Sequence, residues 1–236
     1  MKGLIALLGS GEYLPIMEPV DRRLLASLNL NGRKPRVACL PTAAGKEGDA
    51  SVNRWSKMGV EHFQKLGADV NALPIIDRPS ADDPRWESLL ENADLIYFSG
   101  GDPNYLYQTL QGSRAWSAMR RAWDNGAVYA GCSAGAMILA KRVPSFRLFG
   151  TLEGFGIFPA QFIIPHFDAF PAVFKPLILA LKSQLKGDER MIGVDENTAL
   201  VGTLGGEWTV MGQSRAHIFT RAGEQVYESG QTLRFE

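Results

Sequence analysis

The stretch Ala127-Val128-Tyr129-Ala130-Gly131-Cys132-Ser133-Ala134-Gly135-Ala136-Met137-Ile138-Leu139-Ala140 decides the fold. An apolar run enters a Gly-x-Ser-x-Gly turn and a second apolar run leaves it. This reads as strand, sharp turn, helix. A serine on so tight a turn holds its backbone in a strained conformation, and its neighbours must be small for strand and helix to close up. The hydroxyl is then pushed outward, at a helix start where backbone N–H groups lack partners. Ser133 is the expected nucleophile, and Cys132, in an x position, is expected to point elsewhere. The alternative without chemistry is a glycine-rich turn that only closes a strand onto a helix.

Working outward, the first half alternates apolar strands with helical spacing. Strands are expected at Leu4–Leu8, Val37–Leu40, Val70–Ile76 and Asp94–Phe98. Helices are expected at Ile16–Leu28, Val52–Leu66, Pro84–Leu90, Tyr105–Leu110 and Ala115–Asp124. Strands without polar alternation imply a parallel sheet covered on both faces, with ligands off the carboxyl ends of its strands. Gly9-Ser10-Gly11, Pro41–Gly45, Ser99–Asp102 and the Ser133 turn all follow strands and should gather on one edge. Residues 142–156 read as loops or a hairpin. Phe162-Ile163-Ile164 is a short strand leading to His166, Ala172–Leu185 a helix, and Met191–Val194 a strand running into Asp195-Glu196-Asn197-Thr198. From Ala199 onward, short β runs and glycine turns suggest an antiparallel meander.

The chain has 236 residues, enough for one large α/β domain over residues 1–236. Twenty-five basic residues balance twenty-five acidic ones, so no bulk charge argues for nucleic acid or an anionic membrane. No apolar run is long enough to span a bilayer. The two cysteines, Cys39 and Cys132, do not suggest a disulfide framework, and a cytoplasmic location is expected. Gly9-Ser10-Gly11 lacks the third glycine of a dinucleotide turn, and Glu12 sets a negative charge where a pyrophosphate would lie. Walker-type loops and paired zinc-ligand spacings are absent, so no metal or organic cofactor is implied.

A serine nucleophile needs a base. His62 reads as a surface or half-buried helix residue and His217 as structural. His166 ends an apolar strand and is the expected base. The Ala134 amide is one natural oxyanion donor, and Ser99-Gly100-Gly101-Asp102-Pro103 offers Gly100 or Gly101 as the other. Asp102 can cap the following helix at the same time. Glu153, between Ser133 and His166 in the chain, ranks first as the group that orients the base. Asp195 and Glu196 are the rivals, and Asp168 lies awkwardly close to the histidine.

Together these residues resemble peptidase family S51, which contains dipeptidase E and cyanophycinase. The landmarks are Gly9-Ser10-Gly11-Glu12, Leu40-Pro41-Thr42-Ala43, Phe98–Asp102, Gly131–Ala136, Pro165-His166-Phe167 and Gly193–Ala199. The resemblance implies a three-layer α/β fold like that of class I glutamine amidotransferases, with Ser133 as nucleophile, His166 as base, and an oxyanion region at Gly100, Gly101 and Ala134. It implies a serine peptidase of small peptides, with Asp-X dipeptides as the dipeptidase E-like substrate. The dipeptidase E pattern carries an aspartate where this chain reads Val143–Leu148. Cyanophycinases carry arginines after their histidine, where this chain has Phe167-Asp168-Ala169-Phe170. Lys175, Arg142 and Arg147 are the cations placed to meet an aspartyl side chain. Other amide or ester hydrolases, and a binding module without catalysis, are the rival readings. A homodimer is left open by the aromatic residues Phe146, Phe149 and Phe155, for which burial within the monomer is equally compatible.

Overall fold

A strand that is apolar at every position has two faces to hide. In the computed structural model, which describes residues 2–145, 150–169 and 175–235, the first strand does this: Ile5, Ala6, Leu7 and Leu8 are all fully buried. In chain order the elements are β1 (Ile5–Leu8), α1 (Glu18–Ala26), β2 (Arg36–Leu40), α2 (Asp49–Lys65), β3 (Asp69–Ala72), α3 (Arg78–Ala81), α4 (Glu87–Glu91), β4 (Leu95–Phe98), α5 (Pro103–Leu110), α6 (Arg114–Asp124), β5 (Val128–Cys132) and α7 (Ala134–Met137). Then follow β6 (Arg142–Ser145), β7 (Gly150–Glu153), β8 (Phe162–Ile164), α8 (Lys175–Ser183), β9 (Met191–Val194), β10 (Thr198–Gly202), β11 (Glu207–Gly212), β12 (Arg215–Thr220), β13 (Gly223–Glu228) and β14 (Thr232–Arg234).

The main sheet has eight strands in the order β14-β11-β10-β1-β5-β4-β2-β3. Its five strands from β1 to β3 pair in parallel, and β10, β11 and β14 extend it with antiparallel pairs. Ala6, Leu8, Val37, Cys39, Leu95 and Tyr97 share one core with Val20 and Leu24 of α1 and Phe63 of α2. Ile5, Leu7, Ala38, Ile96 and Phe98 share the other with Leu106 and Leu110 of α5 and Met119 and Trp123 of α6. The result is the expected helix–sheet–helix sandwich. Helix α5 starts at Asp102, whose carboxylate accepts from the amides of Asn104 and Tyr105, and α6 starts at Ser113, whose hydroxyl accepts from Trp116.

Two departures bear on the site. The helix after the elbow is only one turn long. The carbonyls of Ile138, Leu139 and Ala140 accept from the amides of residues 155–158 rather than from a continuing helix. Apolar composition favoured a longer helix, and tertiary pairing overrides it. The second departure is a separate four-stranded sheet, β13-β12-β9-β8, in which β8 and β9 run parallel. The C-terminal strands are antiparallel as expected, but they divide between the sheets: β10, β11 and β14 join the first, and β12 and β13 the second. One face of the second sheet shares a core with α5 and α6, through Ile163, Ile192 and Ile218. Its other face packs Phe162, Ile164 and Phe219 against Leu181 of α8.

The second sheet meets the first through Gly9. A Cβ built on Gly9 would stand 2.0 Å from the carbonyl oxygen of Asp195 and 2.6 Å from that of Val194. Only a residue without a side chain lets the end of β9 lie against the end of β1. Gly9→Ala must push these backbones apart. Overpacking of this kind costs roughly 1–3 kcal/mol, or about 3–10 °C in melting temperature for a chain of this size. Thermal unfolding of the variant checks this, and an unchanged melting temperature would contradict the close approach.

Candidate functional site

Ser133 stands between β5 and α7 with φ 49° and ψ −105°. A non-glycine residue at positive φ is sterically costly and persists only where its surroundings hold it, a feature concentrated at functional sites. The small neighbours are required. A Cβ on Gly131 would sit 2.4 Å from the carbonyl of Gly135, so the two glycines let strand and helix close around the serine.

The strand-end turns meet here as the parallel sheet predicts. Gly100 lies against Ser133, and a Cβ built on it would be 3.3 Å from that of the serine. Asp102 donates its amide to the carbonyl of Ala43, which ties the β4 turn to the β2 turn. The hydroxyl of Ser10 accepts from the Asn197 amide at 3.0 Å, so the Gly9-Ser10-Gly11 turn docks the loop after β9. This gives that turn a structural purpose.

His166 follows β8 and also has positive φ, at 50°. Its Nε2 lies 3.1 Å from Ser133 Oγ, and its Nδ1 lies 3.0 Å from Glu196 Oε1. With the proton on Nδ1, the ring donates to the carboxylate and its free nitrogen accepts from the hydroxyl. Glu196 follows β9, the parallel neighbour of β8, with Ile164 level with Gly193. The two strand ends deliver the histidine and the carboxylate side by side. Asp168 adds to this by accepting from the Glu196 amide at 2.8 Å.

Glu153 is elsewhere, and its expected place beside the histidine is corrected. It is exposed at the end of β7, opposite Arg142. There its carboxylate meets Tyr107, whose phenol is pushed up first by burial and then by Glu153. Lying between Ser133 and His166 in the chain did not bring it near either in space. Asp195 is fully committed: it accepts from Ser214 Oγ at 2.7 Å and the Arg215 amide at 3.2 Å, and lies 3.1 Å from His217 Nε2. His217 has Glu224 on its other nitrogen at 2.9 Å, consistent with a structural role. His62, expected at the surface or half-buried, is buried, with Nε2 2.8 Å from Asp21 Oδ2.

Of the amides expected at the oxyanion position, those of Ala134 and Gly101 have no hydrogen-bond partner among the described residues. The Gly100 amide is already taken: it donates to Glu12 Oε1 at 2.8 Å. Sequence reasoning missed this role for Glu12. Cys132, beside the serine, points away from it and donates to Glu12 Oε2 at 2.9 Å. Burial first, and then Glu12, hold its thiol well above the usual range. Cys39 and Cys132 are both buried and free. Of the cations considered for an aspartyl substrate, Arg142 bonds to Thr151 at 2.7 Å. Arg147 and the side chain of Lys175 lie outside the described residues, as do Phe146 and Phe149. Phe155 stacks on Trp116 with ring centroids 3.7 Å apart, so it is used within the monomer.

Known proteins resemble this chain in sequence and fold. A 39 % identical crystal structure, of a peptidase from an acI-B1 Actinobacterium, superposes with a TM-score of 0.89 over 100 % of this chain and 98 % of that one. A peptidase E-like protein from Listeria monocytogenes EGD-e shares the fold, with a TM-score of 0.62 at 16 % identity over 97 % of this chain and 99 % of its own. The uncharacterized peptidase YgaJ of Bacillus subtilis (strain 168) is 32 % identical over 71 % of this chain and 70 % of its own length. A cyanophycinase of Geminocystis herdmanii (strain PCC 6308) is 27 % identical over 70 % of this chain and 62 % of its own. The family model of peptidase family S51 matches residues 5–206. The chain that carries this elbow serine belongs to peptidase family S51.

Proposed function

We propose that this family member is a serine-type peptidase of small peptides, working through an acyl-enzyme on Ser133. The observation that carries the reading is the unbroken chain from hydroxyl to imidazole to carboxylate, 3.1 Å and then 3.0 Å. As Ser133 attacks the scissile carbonyl, His166 Nε2 takes its proton and becomes a cation, which the carboxylate of Glu196 stabilises at Nδ1. The oxygen that gains charge is received by the Ala134 and Gly101 amides, which have no competing partner among the described residues. His166 then gives its proton to the leaving amine, and water releases the acyl group by the same steps in reverse.

For the substrate we propose a short peptide with an N-terminal aspartyl residue. Support comes from the Pro165-His166-Phe167 form of the histidine segment and the absence of arginines after it. The same absence argues against a polymer of aspartate and arginine, although a cyanophycinase is among the relatives. The test is a panel of Asp-X, neutral and basic dipeptides, with cyanophycin alongside, read by release of the free amine. The expected result is a kcat/KM for Asp-X at least about tenfold above the other dipeptides, the scale on which one substrate side-chain contact discriminates. Equal rates across the panel would remove the aspartyl preference. Cleavage of cyanophycin alone would replace the dipeptide with the polymer.

A further inference from the structure

Glu12 is a buried carboxylate that joins the elbow to the turn after β4. It is 8 % exposed. One oxygen takes the amide of Gly100, just after β4, and the other takes the thiol of Cys132, the last residue of β5. These strands are parallel neighbours, with Phe98 level with Gly131. The carboxylate therefore clamps two adjacent strand-end turns, one carrying the nucleophile and the other an oxyanion donor. The space is tight. A Cβ on Gly100 would be 3.1 Å from Glu12 Oε1 and 3.3 Å from Ser133 Cβ, so the glycine backbone is pressed between the carboxylate and the serine.

A buried carboxylate is costly unless hydrogen bonds compensate it, and a charge-assisted bond from an amide is among the stronger ones available. Its placement has a chemical consequence. An amide already donating to a carboxylate oxygen is not free to receive an oxyanion. Resting on the serine-peptidase reading, we propose that Glu12 is a positioning residue: it removes the Gly100 amide from the reaction and fixes the turn so that Gly101 supplies the donor. The motif Gly9-Ser10-Gly11-Glu12 then has two tasks. Its first three residues dock the loop that carries Glu196, and its fourth sets the oxyanion turn.

Fluorophosphonate labelling, followed against probe concentration, separates reaction from binding. Glu12→Ala leaves the Gly100 amide and Cys132 thiol without a shared acceptor, and the turn loses its clamp. The limiting rate of labelling is expected to fall about 10²-fold, as when an oxyanion donor is lost or displaced, with probe affinity within about threefold of wild type. Glu12→Gln keeps an oxygen for Gly100 and should recover to within about tenfold of wild type. A limiting rate for Glu12→Ala within about threefold of wild type overturns the proposal, as does a loss carried wholly by affinity. The Gly100 amide proton gives a second readout that needs no activity. Bound to a carboxylate, it should resonate downfield and move upfield in Glu12→Gln, a near-isosteric variant that keeps one acceptor oxygen for Gly100 if Glu12→Ala does not fold. No movement also overturns the proposal. A wild-type chain that takes no label at Ser133 would instead remove the serine reading, while the Gly100 shift still decides whether Glu12 holds the turn.

Discussion

Ser133→Ala should abolish both peptide hydrolysis and fluorophosphonate labelling, with kcat falling by about 10⁴-fold or more, the scale on which acyl-enzyme mechanisms lose a nucleophile. The fold should not suffer. The hydroxyl's hydrogen bond is to His166, and that ring keeps its bond to Glu196. Alanine at a φ of 49° is no more strained than serine. The melting temperature should therefore stay within about 3 °C of wild type or rise slightly, as is common when a functional polar group is removed. The neighbouring Cys132 cannot substitute, because it points to Glu12 and burial holds it as a thiol. Mass spectrometry of the labelled peptide should place the adduct on Ser133. A folded variant with a tenth or more of wild-type hydrolysis would remove the serine from the chemistry.

The parts of the molecule legible in the sequence are those built from local patterns. Strands apolar at every position announced a sheet buried on both faces, and Ile5–Leu8 and Leu95–Phe98 are such strands. The Gly-x-Ser-x-Gly spacing announced the elbow because the steric demand of that turn is local. Asp102 followed by Pro103 announced a capped helix start, and α5 begins there. What was not legible depends on long-range pairing. That β8 and β9 leave the main sheet is decided by their pairing with each other and with β12, which no window of sequence contains. The end of α7 is set by amides some twenty residues away. Glu12 read as an argument against a nucleotide and as part of a family landmark, without its structural role, because its partners, Gly100 and Cys132, lie 88 and 120 positions along the chain.

Glu153 and Glu196 show the same limit within the site, and they supply the second large effect. Chain order favoured Glu153, since it falls between nucleophile and base. Strand pairing favours Glu196. Two short apolar strands, Phe162–Ile164 and Met191–Val194, each end in a polar loop, and parallel neighbours bring their carboxyl ends together. That signal was available in the sequence as a pair of similar strands, without the register that joins them. Replacing Glu196 by glutamine should keep the fold and lower kcat, because an amide can present its nitrogen to Nδ1 and hold the wrong tautomer, and it does not stabilise the imidazolium. A buried aspartate in this role is worth about 10⁴-fold. Here the side chains of His166 and Glu196 are 41 % and 43 % exposed, so water screens the pair and can partly replace the carboxylate. The expected loss is correspondingly smaller, about 10²–10³-fold in kcat with KM little changed. Glu153→Gln should leave kcat within about threefold of wild type, since that carboxylate meets Tyr107 and not the imidazole. Steady-state kinetics on the two variants decide between them. If Glu153→Gln carries the large loss and Glu196→Gln the small one, the hydrogen bond at His166 Nδ1 is not the one that orients the base.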